Sequence, residues 1–154
     1  MGIFSFLRRK TEFFSPEEKQ LIIEAVQKAE KETSGEIRVF VEHRCRFVDA
    51  LDRAVEIFQQ LKMDQTKERN AVLLYVAMKD RQLAIFGDQG IHDKVGNEYW
   101  EKEVKKMIKE FNRNNYATGI CKCVQDIGHA LKTHFPYDAG TDKNELPDDI
   151  VFGK

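Results

Sequence analysis

Two apolar runs, Ala71–Met78 and Leu83–Phe86, flank the short polar turn Lys79-Asp80-Arg81. No other feature restricts the fold of this chain as tightly. The first run is apolar at nearly every position, which suits a central strand covered on both faces. The second reads as its antiparallel return. A hairpin brings its entry beside its exit. Arg69-Asn70 opens the hairpin and Gly87-Asp88-Gln89-Gly90 closes it, so both lie at one end of a sheet. A guanidinium, an amide, a carboxylate and permissive glycine backbone meet there.

The rest of the chain supplies layers for that sheet. Ser15-Pro16-Glu17-Glu18 is a helix start: Ser15 caps, Pro16 suits the first position and Glu18 completes a capping box. Leu21, Ile22, Ala25, Val26 and Ala29 then form one apolar face, and Gly35 ends the helix. Glu36–His43 alternates with Ile37, Val39 and Val41 on one side and predicts a strand. A helix over about 48–62 buries Leu51, Ala54, Val55, Phe58 and Leu61. Strand, helix, strand predicts a right-handed parallel crossover. Asn97 is placed to cap a long helix that turns Trp100, Val104, Met107, Ile108 and Phe111 inward, leaving a Lys- and Glu-rich outer face to solvent. A last helix over about 116–134 ends before Pro136. The expectation is one α/β domain: a three-layer α/β/α sandwich, Rossmann-like, with a mixed sheet carrying a β-hairpin. Residues 1–14 form an apolar-basic segment, 15–136 the domain, and 137–154 a flexible acidic tail.

Composition narrows the function classes. The formal net charge is −1, so no bulk attraction to nucleic acid is indicated. No stretch approaches the ~20 apolar residues that span a bilayer. The first ten residues place their charge after the apolar patch, the reverse of a secretory signal. Weak membrane-surface contact by residues 1–10, or by the cluster Phe4, Phe6, Phe13 and Phe14, stands against a plain frayed terminus. Three cysteines, Cys45, Cys121 and Cys123, are an odd count without framework spacing. They predict free thiols in a reducing, cytoplasmic setting. The expected state is a monomer, with room for a protein partner.

The chemistry has two candidate locations. At the first, Asp88, with Glu36 and Asp93, offers oxygen ligands for a hard cation such as Ca2+ or Mg2+. Arg69, Asn70, Gly87 and Gly90 would shape that loop or hold an anion on free amides. The plainer alternative is a tight turn whose Asp88 caps the next helix and pairs with Arg69. The second location lies beyond the carboxyl ends of the parallel strands, where open α/β sheets bind ligands. Glu42, Asp49 and Asp80 gather there as an acidic pocket, or as ordinary loop polarity. Zinc is disfavoured: Cys121 and Cys123 diverge by about 200° on a helix, and no HxxxH pattern exists. No P-loop, dinucleotide fingerprint or serine-nucleophile motif is present, so no nucleotide cofactor is expected and the catalytic residues stay unknown.

Several motifs resemble one family. They are Ser34-Gly-Glu-Ile-Arg-Val, Asp52-Arg-Ala with Phe58 and Leu61-Lys-Met, Arg69-Asn-Ala-Val-Leu-Leu-Tyr-Val-Ala, Asp80-Arg, Gly87-Asp-Gln-Gly-Ile91 and Trp100. Over roughly 15–135 the chain resembles the TPM domain, named for a plant thylakoid-lumen protein, a photosystem-associated protein and a nematode receptor-modulating protein. Ala71 departs from the Gly common after the Asn. The resemblance implies a three-layer α/β domain that often binds divalent metal. It supports two functions: a Ca2+-binding interaction or maintenance module, or a metal-dependent acid phosphatase acting on phosphomonoesters.

Overall fold

The computed structural model describes residues 13–46, 49–137 and 150–152. In chain order they form α1 (Pro16–Glu30), β1 (Glu36–Glu42), α2 (Ala50–Gln60), β2 (Ala71–Ala77), β3 (Gln82–Gly87), α3 (Gln89–Val95), α4 (Asn97–Asn112), α5 (Tyr116–His134) and β4 (Val151–Phe152). The sheet order is β3-β2-β1-β4. β1 and β2 run parallel, with Glu36 opposite Ala71 and Glu42 opposite Ala77. β3 returns antiparallel, with Val72 opposite Gly87.

Strand alternation divides the interior in two. Val72, Leu74 and Val76 of β2 join Ile37, Val39 and Val41 of β1 on one face, with side chains from α1, α4 and α5. Ala71, Leu73, Tyr75 and Ala77 point the other way, with Phe40 and with Ala54, Ile57 and Phe58 of α2. Every residue of β1 and β2 is buried, which explains the unbroken apolar run at 71–77. The three layers are therefore α1/α4/α5, the sheet, and α2.

The capping box at Ser15 and Glu18 forms in both directions. Trp100 is buried, and a Cβ at Gly87 would stand 2.3 Å from its ring, so the indole packs directly on β3. Ala71 needs no special backbone. The left-handed residue in this segment is Arg69, two positions earlier, at φ 53°.

Several details differ from the sequence reading. Leu21, Leu51 and Ile108 are exposed rather than inward; each sits at the margin of its helix's apolar stripe. Asn97 does not cap: Gly96 holds that position at φ 80°, and Asn97 is the first helical residue. A short helix, α3, fills the space before it. Phe14 is buried in the core, and Phe13 stacks on Phe152 and tilts against His43, so neither is a membrane-facing side chain. Phe4, Phe6 and the rest of the 1–10 segment lie outside the described residues. Of the stretch assigned to the tail, Val151 and Phe152 pair parallel with Phe40 and Val41 as an edge strand. The three cysteines are free.

Candidate functional site

Arg69, Asn70, Asp88 and Gly90 do meet at one end of the sheet, and they close on one another. Arg69 donates to both Asp88 oxygens, Nε to Oδ2 at 2.7 Å and Nη2 to Oδ1 at 2.8 Å. Asp88 also accepts from the Gln89 amide and caps α3. Its own N–H donates to the Ala71 carbonyl, and Gly90 N–H donates to the Arg69 carbonyl at 2.8 Å. The Gly90 contact is so close that a Cβ would lie 2.1 Å from the Glu68 carbonyl oxygen. Asn70 Nδ2 donates to Ser34 Oγ, and Asn70 N–H donates to Thr66 Oγ1. The Asp88 carboxylate is 4% exposed while Arg69 is 53% exposed. A charge-assisted bidentate pair of this kind is strong and directional. The hydrogen bond and the charge of Asp88 together raise the Arg69 pKa above its ordinary value.

The two partners proposed for Asp88 lie on other elements. Glu36 is buried at the start of β1, opposite Ala71. Asp88 follows β3 on the far side of β2, so Glu36 and Asp88 are two strands apart, about 9–10 Å between backbones. Asp93 is exposed on α3 and accepts from Gln89 Nε2. Among the described residues, no group of three or more His, Cys, Asp or Glu side chains is arranged to hold a metal ion.

The opposite end of the sheet is built differently. Glu42, at the end of β1, is buried and takes two hydrogen bonds from Arg53 of α2, at 2.9 and 3.0 Å. Tyr75 Oη also donates to Glu42, and Arg53 reaches Glu56. Burial first, then the hydrogen bond to Glu42, pushes the Tyr75 phenol far above its ordinary range. Arg53 is raised too, chiefly by its bond to Glu42. Asp80 in the hairpin turn accepts from Cys45 N–H at 2.8 Å, which pins the loop after β1 against the turn after β2. Its other oxygen meets only the exposed Arg44 guanidinium, at 3.4 Å. Asp49 is exposed and caps α2 by accepting from Leu51 N–H.

The family model of the TPM domain matches residues 7–130 of the chain. The chain belongs to the TPM domain family. Among solved structures, the TPM chain is similar to the BA42 protein from the psychrophilic bacterium Bizionia argentinensis. The identity there is 40% and the TM-score 0.84, with 92% of this chain and 97% of that one covered. It shares its fold with the N-terminal domain of a P. gingivalis protein, at 16% identity and TM-score 0.67, covering 86% and 91% of the two chains. The N-terminal domain of the cg2496 protein from Corynebacterium glutamicum matches at 15% identity and TM-score 0.57, covering 77% and 74%. No curated protein matches the sequence.

Sequence reasoning missed two charged side chains on the inward faces of helices in this TPM domain. Arg53 is the partner of Glu42, and its signal was available: it falls between Ala50, Ala54 and Ile57 on the inward stripe of α2. A charge on such a stripe needs a buried counter-charge. Glu103 is the other. It follows Trp100 by three residues and precedes Met107 by four, on the buried face of α4.

Proposed function

We propose that this TPM domain is an interaction or maintenance module that responds to a divalent cation, Ca2+ or Mg2+. The cation is taken beyond the carboxyl ends of β1 and β2, at the Asp80 and Asp49 loops. Family membership supports the class of function. One contrast supports the location. Asp88 is buried under a bidentate guanidinium, so a cation there would have to displace Arg69 and face its charge. Asp80 is 24% exposed, and one of its oxygens meets only the exposed Arg44 guanidinium at 3.4 Å. Exposed pairs of that kind are worth little, and a hard cation readily takes such an oxygen. Asp49 offers a second carboxylate on the loop between β1 and α2, with one oxygen already oriented by the α2 cap. Glu42 is neutralised by Arg53 and serves as a wall rather than a ligand.

Isothermal titration with Ca2+ and with Mg2+ tests this on the wild type, Asp80→Asn, Asp49→Asn and Asp88→Asn. Asp80→Asn should weaken binding at least tenfold, and Asp49→Asn severalfold. Asp88→Asn should lower the melting temperature yet bind as the wild type does. Wild-type affinity in Asp80→Asn with loss in Asp88→Asn would move the site to the other end of the sheet. No heat and no melting shift in the wild type would end the cation reading.

A further inference from the structure

The face where α4 meets α5 carries a group the fold does not otherwise use. Glu103 lies on α4 at a position where the stripe Trp100, Met107, Phe111 calls for an apolar residue, and it is 3% exposed. Its Oε2 accepts from Lys106 Nζ at 3.2 Å. The same Nζ donates to Asp126 Oδ2 of α5, also at 3.2 Å. One ammonium thus draws the two carboxyls toward each other from opposite helices. Glu103 Oε1 is buried and finds no N–H or O–H donor. Two carboxylates are acceptors only, so a bond between them exists only when one carries a proton. One lysine balances one of the two negative charges, and the proton supplies what is missing.

We propose that Glu103 and Asp126 share a proton and so form a pH-sensitive clamp between α4 and α5. Two clefts border the pair. One of about 410 Å³ is lined by Lys94 of α3, by Tyr99 and by His129 and His134 of α5. The other, of about 250 Å³, brings in Lys109, Glu110, Lys122 and Cys123. Lys94, Lys109, Lys122, His129 and His134 make no ion pair with Glu103 or Asp126; among the described residues only Lys106 does. Lys122 and Arg113 are turned to Glu110, at 3.4 and 4.0 Å. Tyr99 and Cys123 are held neutral, each pushed upward first by burial. Tyr99 Oη donates to the Asp126 carbonyl and fixes the helix pair beside the clamp. Lys106 is 63% exposed and bridges from the rim.

The direction of the pH dependence follows. Burial, then Asp126, pushes the Glu103 carboxyl up to about 7, against 4.5 for the free side chain. Between those values the native protein holds a proton that the unfolded chain has lost. Stability from this pair is full below the unfolded value and is lost as pH rises through about 7.

Carboxyl-carbon NMR on a glutamate-labelled chain tests the proposal directly, with Glu103→Gln identifying the signal. A wild-type midpoint near neutrality is expected, moving down in Asp126→Asn and up in Lys106→Met. The wild-type melting temperature should fall between about pH 4.5 and 7, and Glu103→Gln should flatten that fall. A Glu103 midpoint in the ordinary carboxylate range overturns the clamp. So does a midpoint that Asp126→Asn leaves in place, since burial without sharing would give that result. Should Glu103→Gln fail to fold, the signal displaced by Lys106→Met identifies Glu103; no displaced glutamate signal near neutrality also overturns it.

Discussion

Glu42 and Arg53 form the most consequential pair of single residues. The carboxylate is buried, and its acceptor sites are filled by one guanidinium and one phenol. Removing one partner of a buried pair leaves a desolvated charge, which is far worse than removing both. Arg53→Met should therefore destabilise the domain by about 3–5 kcal/mol in urea denaturation. The double variant Glu42→Gln with Arg53→Met should recover most of that loss, because the remaining amide still accepts from Tyr75. Equal loss in the single and double variants would show that the pair acts through packing alone. Glycine behaves differently at two positions. Gly90→Ala drives a Cβ into the Glu68 and Arg69 carbonyl oxygens, at 2.1 and 2.6 Å. Backbone cannot move aside as a side chain does, so about 2–3 kcal/mol of stability should be lost. Gly96 has open space around it but sits at φ 80°, so Gly96→Ala meets strain without a clash and should lose about 1–2 kcal/mol.

At the scale of elements, the hairpin and α4 carry the fold together. Trp100 of α4 lies on the backbone of β3 at Gly87 and meets Tyr99 edge to face at 5.1 Å. Its Nε1 donates to His92 Nδ1 of α3 at 3.1 Å, so one side chain joins three elements. Trp100→Ala should lower stability by about 3–5 kcal/mol, measured from the denaturation midpoint. These elements were legible because their signals are local. The apolar run at 71–77, the capping box at Ser15 and the alternation at 36–42 each specify one conformation whatever surrounds them. The edge strand β4 was not legible, since two residues have no periodicity and only their pairing with Phe40 and Val41 defines them. The short helix α3 was legible only as the helix that Asp88 would cap: its seven residues begin within the Gly-rich loop and bury only Ile91. The site divides along the same line. That Arg69 and Asp88 would meet follows from hairpin geometry. That Asp80 would bind the Cys45 amide does not, because the contact joins residues 35 positions apart across a turn and a loop.

The whole molecule has a polar group at each end of one sheet and a third cluster on the α4–α5 face, and each constrains what catalysis could look like. Phosphomonoester hydrolysis needs a nucleophile near an activating base, or a metal-bound water, with a cation or dipole facing the transferred group. At the Asp88 end, Arg69 has the charge for a phosphate, but it is spent on Asp88. His92, the nearest base in sequence, accepts from Trp100 through Nδ1. Freeing Arg69 would uncover a buried carboxylate that repels phosphate. At the Asp80 end, a bound Ca2+ or Mg2+ could face a phosphate directly, and the nearest guanidinium is Arg44, exposed beside Asp80. Any turnover should therefore follow the Asp80 loop and not the Asp88 turn. With p-nitrophenyl phosphate, the expected result is no metal-dependent rate above the uncatalysed background. A rate that needs divalent metal and disappears in Asp80→Asn, while Asp88→Asn retains it in proportion to its folded fraction, would establish a metal-dependent phosphatase on the loop proposed for cation binding. A rate lost only with Asp88 and Arg69 would overturn both that location and the view of their pair as a structural staple. The measurement is informative because Arg69 commits Nε and Nη2 to Asp88, so a substrate would meet only the outer N–H donors of a guanidinium whose charge Asp88 already balances.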